Sequence, residues 1–503
     1  MKKNKKVLCI ILDGWGIGKA YKGNAIHLAK TPIFDKLWHS APRAVLAAAG
    51  EEVGLPAGQM GTSEVNHMAI GAGRIIFQDL VKINKAVKSR SFHNNPAFID
   101  AFEYVKKNNS TLHIKGLVSP GGIHSHSEHL YALLKAAKLY GLTKVYIHIF
   151  TDGRDTLPES AISYIQELED RVKEIGLGKI ASISGRYYAM DRDHNWDRTD
   201  RAFTLLTAGA KKKKKSAVEA VKASYKKGIT DEFIEPTAIE VEPGEEGTIA
   251  SNDAVIFVNF RSDRPRQLVE RFLKKGPKNL KYVTMTQYSP DYDVQVAYPL
   301  VKISNSLGEV LSKKGVKQLR ITETEKFAHL TFFLNGKQEE AFEGEDRIML
   351  DSYSDIATHD KKPEMRTPDI VKQIIQDMKA NNHQVIFTNL CNADMVGHSG
   401  GIKATIKAAE VVDKALADLL PVAKKKGYDV ILIADHGNAE EMWDEMEKSE
   451  VTAHSTNPVP FILISKEYKE LKKDEGGLDN VAPTILKILG IKKPKEMTGE
   501  SLV

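Results

Sequence analysis

Only two cysteines, Cys9 and Cys391, occur in 503 residues, and both lie in apolar runs. That scarcity excludes a disulfide-built scaffold, so both are expected as buried free thiols in a reducing, cytoplasmic setting. No apolar run approaches the ~20 residues of a membrane-spanning helix, which predicts a soluble chain with no membrane partner. Lysines precede the apolar residues 7–12 as in a secretory leader, but Asp13 follows at once and no small-residue cleavage pattern appears. This start is read as a buried first strand behind a basic tail. Internal repeats and long disordered tracts are absent, and a net charge of +6 spread over this length selects no partner class. The densest basic run, residues 211–215, lacks the interleaved aromatics that stack on bases. It reads as the solvated face or end of a helix, with no nucleic-acid partner.

What is present is ordinary globular material, 42% hydrophobic and 27% charged, in a chain too long for one core. Short β-branched runs (VLCIIL, KVYIHIF, AVIFVNF, QVIFTNL, DVILIA) alternate with helix-period segments, which predicts α/β architecture with mostly parallel sheets. Ligands of such sheets collect beyond the carboxyl ends of strands, and the polar motifs follow these runs directly. Residues suited to anions fall mainly between His124 and Arg264, whereas residues suited to metals fall before Gly73 and after Asn389. The segregation predicts a discontinuous metal-binding domain, residues 1–76 and 303–503, with residues 77–302 inserted as a substrate-binding domain. Hinges are expected near residues 75–79 and 298–303. The closing stretch reads as an amphipathic helix capped by Asp479 or Asn480 and stopped by Gly490.

Asp13, Asp394, His398, Asp435, His436 and His454 each stand at a strand end or in a loop. Carboxylates and imidazoles without thiolates suit a divalent ion such as manganese or zinc and argue against a structural zinc site. Asp394 and His398 are one helical turn apart in NADMVGH; Asp435 and His436 are expected on a turn relaxed by Gly437. If Asp435 and His436 bind one ion and Asp394 and His398 another, His454 can complete the second and Asp13 the first. His27, His39, His67, His93, His113 and His383 show no such placement and are assigned to surface or core.

In PAGQMGTSEVNHMAIGAGR, Thr62 and Ser63 follow a Gly-rich turn and precede a helix-like stretch. A hydroxyl at a helix amino end can carry a phosphate or serve as an ordinary cap, and spacing alone does not choose between them. Arg154, Arg186, Arg192, Arg261 and Arg264 lie in three Arg-bearing loops, and convergent guanidinium groups suit a small substrate with phosphate and carboxylate. His124 can add a donor or proton relay, and Asp155, among cations, can act as a base. Lys326, in TETEKFAHLTFF, is expected to begin an apolar strand and reach a phosphoryl oxygen.

The motifs LDGWG, MGTSEVNH, GGIHSH, DGRDT, GRYYAMDRD, NFRSDR, TETEKFAH, NADMVGH, ADHGNAE and HSTNPVPF occur in this order. With them the chain resembles the cofactor-independent phosphoglycerate mutases of the alkaline phosphatase superfamily over nearly its whole length. The resemblance implies a phosphatase-like domain with an inserted transferase-like domain that closes over the substrate, and interconversion of 3- and 2-phosphoglycerate without 2,3-bisphosphoglycerate. It implies Ser63 as the residue phosphorylated in turnover, with Asp155 and Lys326 as the other catalytic groups. Two divalent ions, manganese-type, are implied: one on Asp13, Ser63, Asp435 and His436, the other on Asp394, His398 and His454. His124, Arg154, Asp155, Arg186, Arg192, Arg261, Arg264 and Lys326 are implied around the phosphoglycerate, the expected small-molecule partner of a monomeric chain. Ser262, Pro265, His194, Asn195 and residues 391–393 depart from the family pattern, but none replaces a proposed ligand. Rival readings are a related metal-dependent phosphatase, phosphopentomutase or sulfatase, against which the Arg-rich insertion argues. A non-catalytic metal- or anion-binding protein would lack at least one ligand, and none is missing.

Overall fold

The apolar runs of the sequence become the inner strands of two eight-stranded sheets, one in each of two compact units. The computed structural model describes residues 5–300, 302–399 and 401–503; most of the leading basic tail, and Val301 in the expected second boundary, lie outside them. One unit comprises Met1–Gln78 and Lys302–Val503, the other Asp79–Val301.

In the first unit the strand order is Glu345–Leu350, Gln318–Glu323, Val385–Leu390, Lys6–Leu12, Tyr428–Ile433, Val459–Ile464, Arg43–Ala47, Glu475–Gly477. Strand Lys6–Leu12 pairs in parallel with Val385–Leu390 and Tyr428–Ile433, and its residues 7–12 are fully buried. Burial on both faces explains the unbroken apolar run. The register sets Leu12 opposite Leu390 and Ile11 opposite Ile433, so the three strands end nearly level. Asp13, the short helix Asn392–Gly397 and the Asp435–His436 turn therefore leave the sheet at one end. Val459–Ile464 runs antiparallel to Tyr428–Ile433, which brings the segment before it, with His454, to that same end.

The second unit's sheet runs Gln295–Tyr298, Lys281–Thr286, Ala254–Phe257, Leu112–Leu117, Val145–Thr151, Lys179–Gly185, Thr237–Ile239, Lys213–Lys214, parallel except where Lys179–Gly185 meets Thr237–Ile239. Leu117 sits opposite Phe150, Thr151 opposite Gly185, and Lys115 opposite Phe257. The loops that follow, carrying His124, Arg154, Arg186 and Arg261, share one end of the sheet by the same rule.

Three local expectations change. The basic run holds an edge strand, Lys213–Lys214, not a helix face or end; Lys213 pairs with Glu246 at 2.9 Å, and lysines blunt such an edge. Lys326 lies on a short helix, Thr324–Ala328, continued by a π-helical turn His329–Phe333, not at the start of a strand. The closing helix Val481–Leu489 ends at left-handed Gly490 as read, but all its residues except Lys487 are buried, so it is a core helix instead of an amphipathic one. Both cysteines are buried and free, and among the described residues no helix is long and apolar enough to cross a membrane.

Candidate active site

The helix Ser63–Ala72 begins where the sequence left two hydroxyls in competition. Thr62 is extended and its Oγ1 accepts the Val65 N–H at 3.3 Å, which makes it the cap. Ser63 Oγ is free to turn inward, 2.7 Å from Lys326 Nζ and 2.8 Å from His436 Nε2. Lys326 Nζ also donates to Asp13 Oδ1 and Asp394 Oδ2, each at 2.8 Å. Burial opposes its charge, but Asp13, Asp394 and Asp435 hold the ammonium well above the ordinary lysine range. Burial, then the neighbouring Asp435, pushes Asp13 up. Burial likewise penalises Asp394, yet Lys326, His398 and His454 hold its carboxylate well below the usual range.

Asp394 Oδ1 lies 3.2 Å from His398 Nε2 and 3.3 Å from His454 Nε2, and the two imidazole nitrogens face each other at 3.1 Å. The hydrogen bond to Asp394 raises the His398 pKa; for His454 the same carboxylate outweighs burial. Among the described residues, three trios have ligand atoms within 4.8 Å of one another: Asp394, His398 and His454; Asp13, His67 and Asp435; Asp13, Asp394 and His436. Asp435 Oδ2 is buried, with His67 Nδ1 and His436 Nε2 each 3.3 Å away and no well-aligned hydrogen bond, an acceptor that a cation would satisfy. Carboxylate oxygens and imidazole nitrogens with no thiolate among them fit hard-to-borderline divalent ions.

His67, which reads as surface or core, is indeed buried, and it lies beside this cluster, its Nδ1 2.9 Å from the Ser63 carbonyl oxygen and 3.3 Å from Asp435 Oδ2. Its place one helical turn after Ser63 was the available signal. Asn389 donates to Asp13 Oδ2 at 2.6 Å, and Asn438 to Asp394 Oδ1 at 3.1 Å. Neither carried a sequence signal beyond its neighbours.

The anion cluster forms within the second unit. Buried Arg186 Nη1 donates to Asp152 Oδ1 at 2.6 Å and Asp155 Oδ2 at 2.7 Å. Asp152 also accepts the Ser119 hydroxyl at 2.6 Å and the Asp155 N–H at 3.0 Å, which ties loops together. Asp263 holds Arg192 at 2.7 Å and Arg261 at 3.3 Å, with His124 Nδ1 at 3.7 Å. Arg154, half exposed, meets Glu232 at 3.4 Å, and Arg264 donates to the Met190 carbonyl at 3.2 Å. Burial, then Arg186, Arg192 and Arg154, lowers the Arg264 pKa, which marks four guanidinium groups as near neighbours. Burial and then Arg186 lower His124 to about 4, so its imidazole is neutral near pH 7. Lys326, also assigned to the substrate, belongs to unit one, where it lies beside Ser63.

Comparison with known proteins follows the same division. The family described as BPG-independent PGAM N-terminus matches residues 83–290, and the type I phosphodiesterase / nucleotide pyrophosphatase family matches residues 309–489. A 2,3-bisphosphoglycerate-independent phosphoglycerate mutase 1 of Methanosarcina barkeri is 49% identical, covering 99% of this chain and 98% of that protein. A 2,3-bisphosphoglycerate-independent phosphoglycerate mutase of Acetivibrio thermocellus is 45% identical, covering 100% and 99%. Among solved structures, a Leishmania mexicana phosphoglycerate mutase at low cobalt concentration is similar with a TM-score of 0.55 and 30% identity, covering 100% of this chain and 98% of that one.

Proposed function

Given that the chain belongs to the 2,3-bisphosphoglycerate-independent phosphoglycerate mutases, isomerases that interconvert 3- and 2-phosphoglycerate, we propose that it works through a phosphoserine on Ser63. The observation that carries this reading is the position of Ser63 Oγ, at a helix amino end, 2.7 Å from an ammonium and 2.8 Å from an imidazole. Unit one acts as the phosphatase-like domain and unit two as the inserted transferase-like domain.

Asp13, Ser63, Asp435 and His436 would hold one divalent ion, and Asp394, His398 and His454 another; manganese is the ion we propose. Ions there supply Lewis acidity, lowering the serine hydroxyl pKa and neutralising phosphoryl charge. The Ser63 hydroxyl gives up its proton as Oγ attacks phosphorus of 3-phosphoglycerate, the bond from phosphorus to the substrate oxygen breaks, and that oxygen is protonated, so that no net proton is gained or lost. Lys326 Nζ, within hydrogen-bond distance of Ser63 Oγ, stabilises the serine oxygen as nucleophile and later as leaving group. Asp155 accepts the proton of the other glycerate hydroxyl, whose oxygen attacks the phosphoserine; the bond from phosphorus to Ser63 Oγ breaks, Oγ is reprotonated, and Asp155 gives up its proton, so that both groups return to their starting states. The Arg154, Arg186, Arg192, Arg261 and Arg264 guanidinium groups bind the substrate's carboxylate and phosphate, and neutral His124 contributes an uncharged donor.

The test supplies 3-phosphoglycerate and a manganese salt without 2,3-bisphosphoglycerate and measures 2-phosphoglycerate. Product is expected, with a phosphoryl group on Ser63 detectable by mass spectrometry after acid quench. Ser63→Ala is expected to lose about 10³-fold or more in turnover. Undiminished turnover in that variant would overturn the phosphoserine reading.

A further inference from the structure

Glu440 closes the ADHGNAE motif four residues after His436, and its carboxylate is buried. Among the described residues no lysine, arginine or histidine forms an ion pair with it. Its charge is held by four neutral donors. Oε2 accepts the Gly16 N–H at 3.0 Å and the Asn438 N–H at 2.9 Å. Oε1 accepts the Ser455 hydroxyl and, at 3.1 Å, the Asn457 amide. These donors come from three separate segments. Gly16 follows Asp13, Asn438 follows Asp435 and His436, and Ser455 follows His454.

The walls around the carboxylate are shaped to admit it. A Cβ on Gly16 would lie 2.3 Å from Glu440 Cδ, one on Gly437 2.2 Å from Oε1, and one on Gly18 2.8 Å from Cγ. None of the three has a left-handed φ; their lack of a side chain leaves the space that the Glu440 side chain fills. The Gly437 and Ser455 backbones also pair directly, with the Ser455 N–H on the Gly437 carbonyl at 3.0 Å.

We infer that Glu440 is a positioning residue for the metal centre: one carboxylate fixes the mutual placement of the loops bearing Asp13, Asp435 and His436, and His454. It touches none of the reacting atoms. A buried carboxylate that accepts from backbone N–H groups of two loops and side chains of a third allows those loops few alternative arrangements. Its negative charge adds to the field that favours cations. Residues of this kind, one layer out from metal ligands, set affinity by holding the ligands in place.

The inference rests on the metal-binding reading above, and manganese binding without substrate separates the two. Mn2+ is titrated into full-length wild-type protein and Glu440→Gln, with free Mn2+ followed by electron paramagnetic resonance and melting of the metal-free proteins recorded alongside. The glutamine keeps the volume but turns one acceptor into a donor and removes the charge. Expected is about a tenfold or larger rise in the free Mn2+ needed for half occupancy, and recovery of turnover at saturating Mn2+ with KM for 3-phosphoglycerate unchanged. A Mn2+ isotherm within twofold of wild type overturns the positioning role, whatever happens to the melting temperature. No Mn2+ binding by wild type overturns the metal reading itself. Should Glu440→Gln fail to fold, Asn457→Ala, which removes one donor, is expected to weaken Mn2+ binding severalfold, and an unchanged isotherm there counts against the role equally.

Discussion

The two units gather like charges at the carboxyl ends of their sheets, with opposite sign. Unit one brings Asp13, Asp394 and Asp435 together and sets the ammonium of Lys326 among them. Unit two brings Arg154, Arg186, Arg192 and Arg264 together and sets the carboxylates of Asp152, Asp155 and Asp263 among guanidinium groups. Each cluster thus carries its own counter-charge. Convergent like charges in a poorly solvated place are costly, and an internal partner offsets that cost while leaving room for a ligand of the other sign. The comparison teaches that the first cluster offers mainly acceptors and the second mainly donors, which is the division between cation and anion sites that the proposed function requires.

The largest stability consequence of this contrast falls on unit two. Arg186→Leu leaves the Asp152 carboxylate buried without its cation, and a loss of about 3–5 kcal/mol is expected, read by urea unfolding. Arg261→Ala removes an exposed member of the anion cluster. KM for 3-phosphoglycerate is expected to rise by about 10-fold, while Mn2+ affinity stays as in wild type. A parallel loss of Mn2+ binding would break the separation of roles.

Acid is expected to act on the units unequally. Burial lowers His129 to about 3 and, with Arg186, His124 to about 4. The unfolded chain binds these protons near pH 6.5, so the stability these neutral imidazoles contribute is present above that value. It is lost as pH falls through the window from about 6.5 toward 4. His383 of unit one has the opposite sign: burial works against its charge, but Asp377 and Asp346 raise its pKa. Its contribution is full below pH 6.5 and fades as pH rises through the raised value. His329 of unit one is lowered by burial to about 3 as well, but unit two holds more such imidazoles, with His93, His113, His126 and His148 also lowered by burial. Hydrogen exchange followed by mass spectrometry from pH 7 to 5 should therefore show unit two losing protection before unit one.

The smallest expected effect separates the adjacent hydroxyls. Thr62→Ala removes the Val65 cap and should cost about 1 kcal/mol in a melting experiment, with turnover changed only a few-fold. A loss of turnover as deep as that of Ser63→Ala would mean that the helix end, and not one oxygen, makes the nucleophile.

Much of the architecture was legible in the sequence. VLCIIL, VIFTNL and VILI are apolar at every position because a central parallel strand is covered on both faces. The polar residues that follow them stand at strand ends for the same reason that such sheets bind ligands there. Less legible were features settled by neighbours remote in the chain. The lysines of residues 211–215 were read as helical, yet Lys213–Lys214 found a strand edge in Thr237–Ile239. TEKFA was read toward a strand, yet it forms a helix that turns Lys326 toward Asp13, more than three hundred residues away. His67 reads only as surface or core, because nothing near it in sequence shows that Asp435 folds against it.

By itself the sequence determined the strands, the residues at their ends and the alternation that makes the fold α/β, because periodicity and burial act over a few residues. Tertiary structure alone decided that Thr62 caps while Ser63 faces an ammonium, that Lys326 sits among carboxylates, and that Glu440 joins three loops. Those outcomes depend on strand register and on contacts across hundreds of residues, and directed hydrogen bonds at such separations leave no local pattern to read.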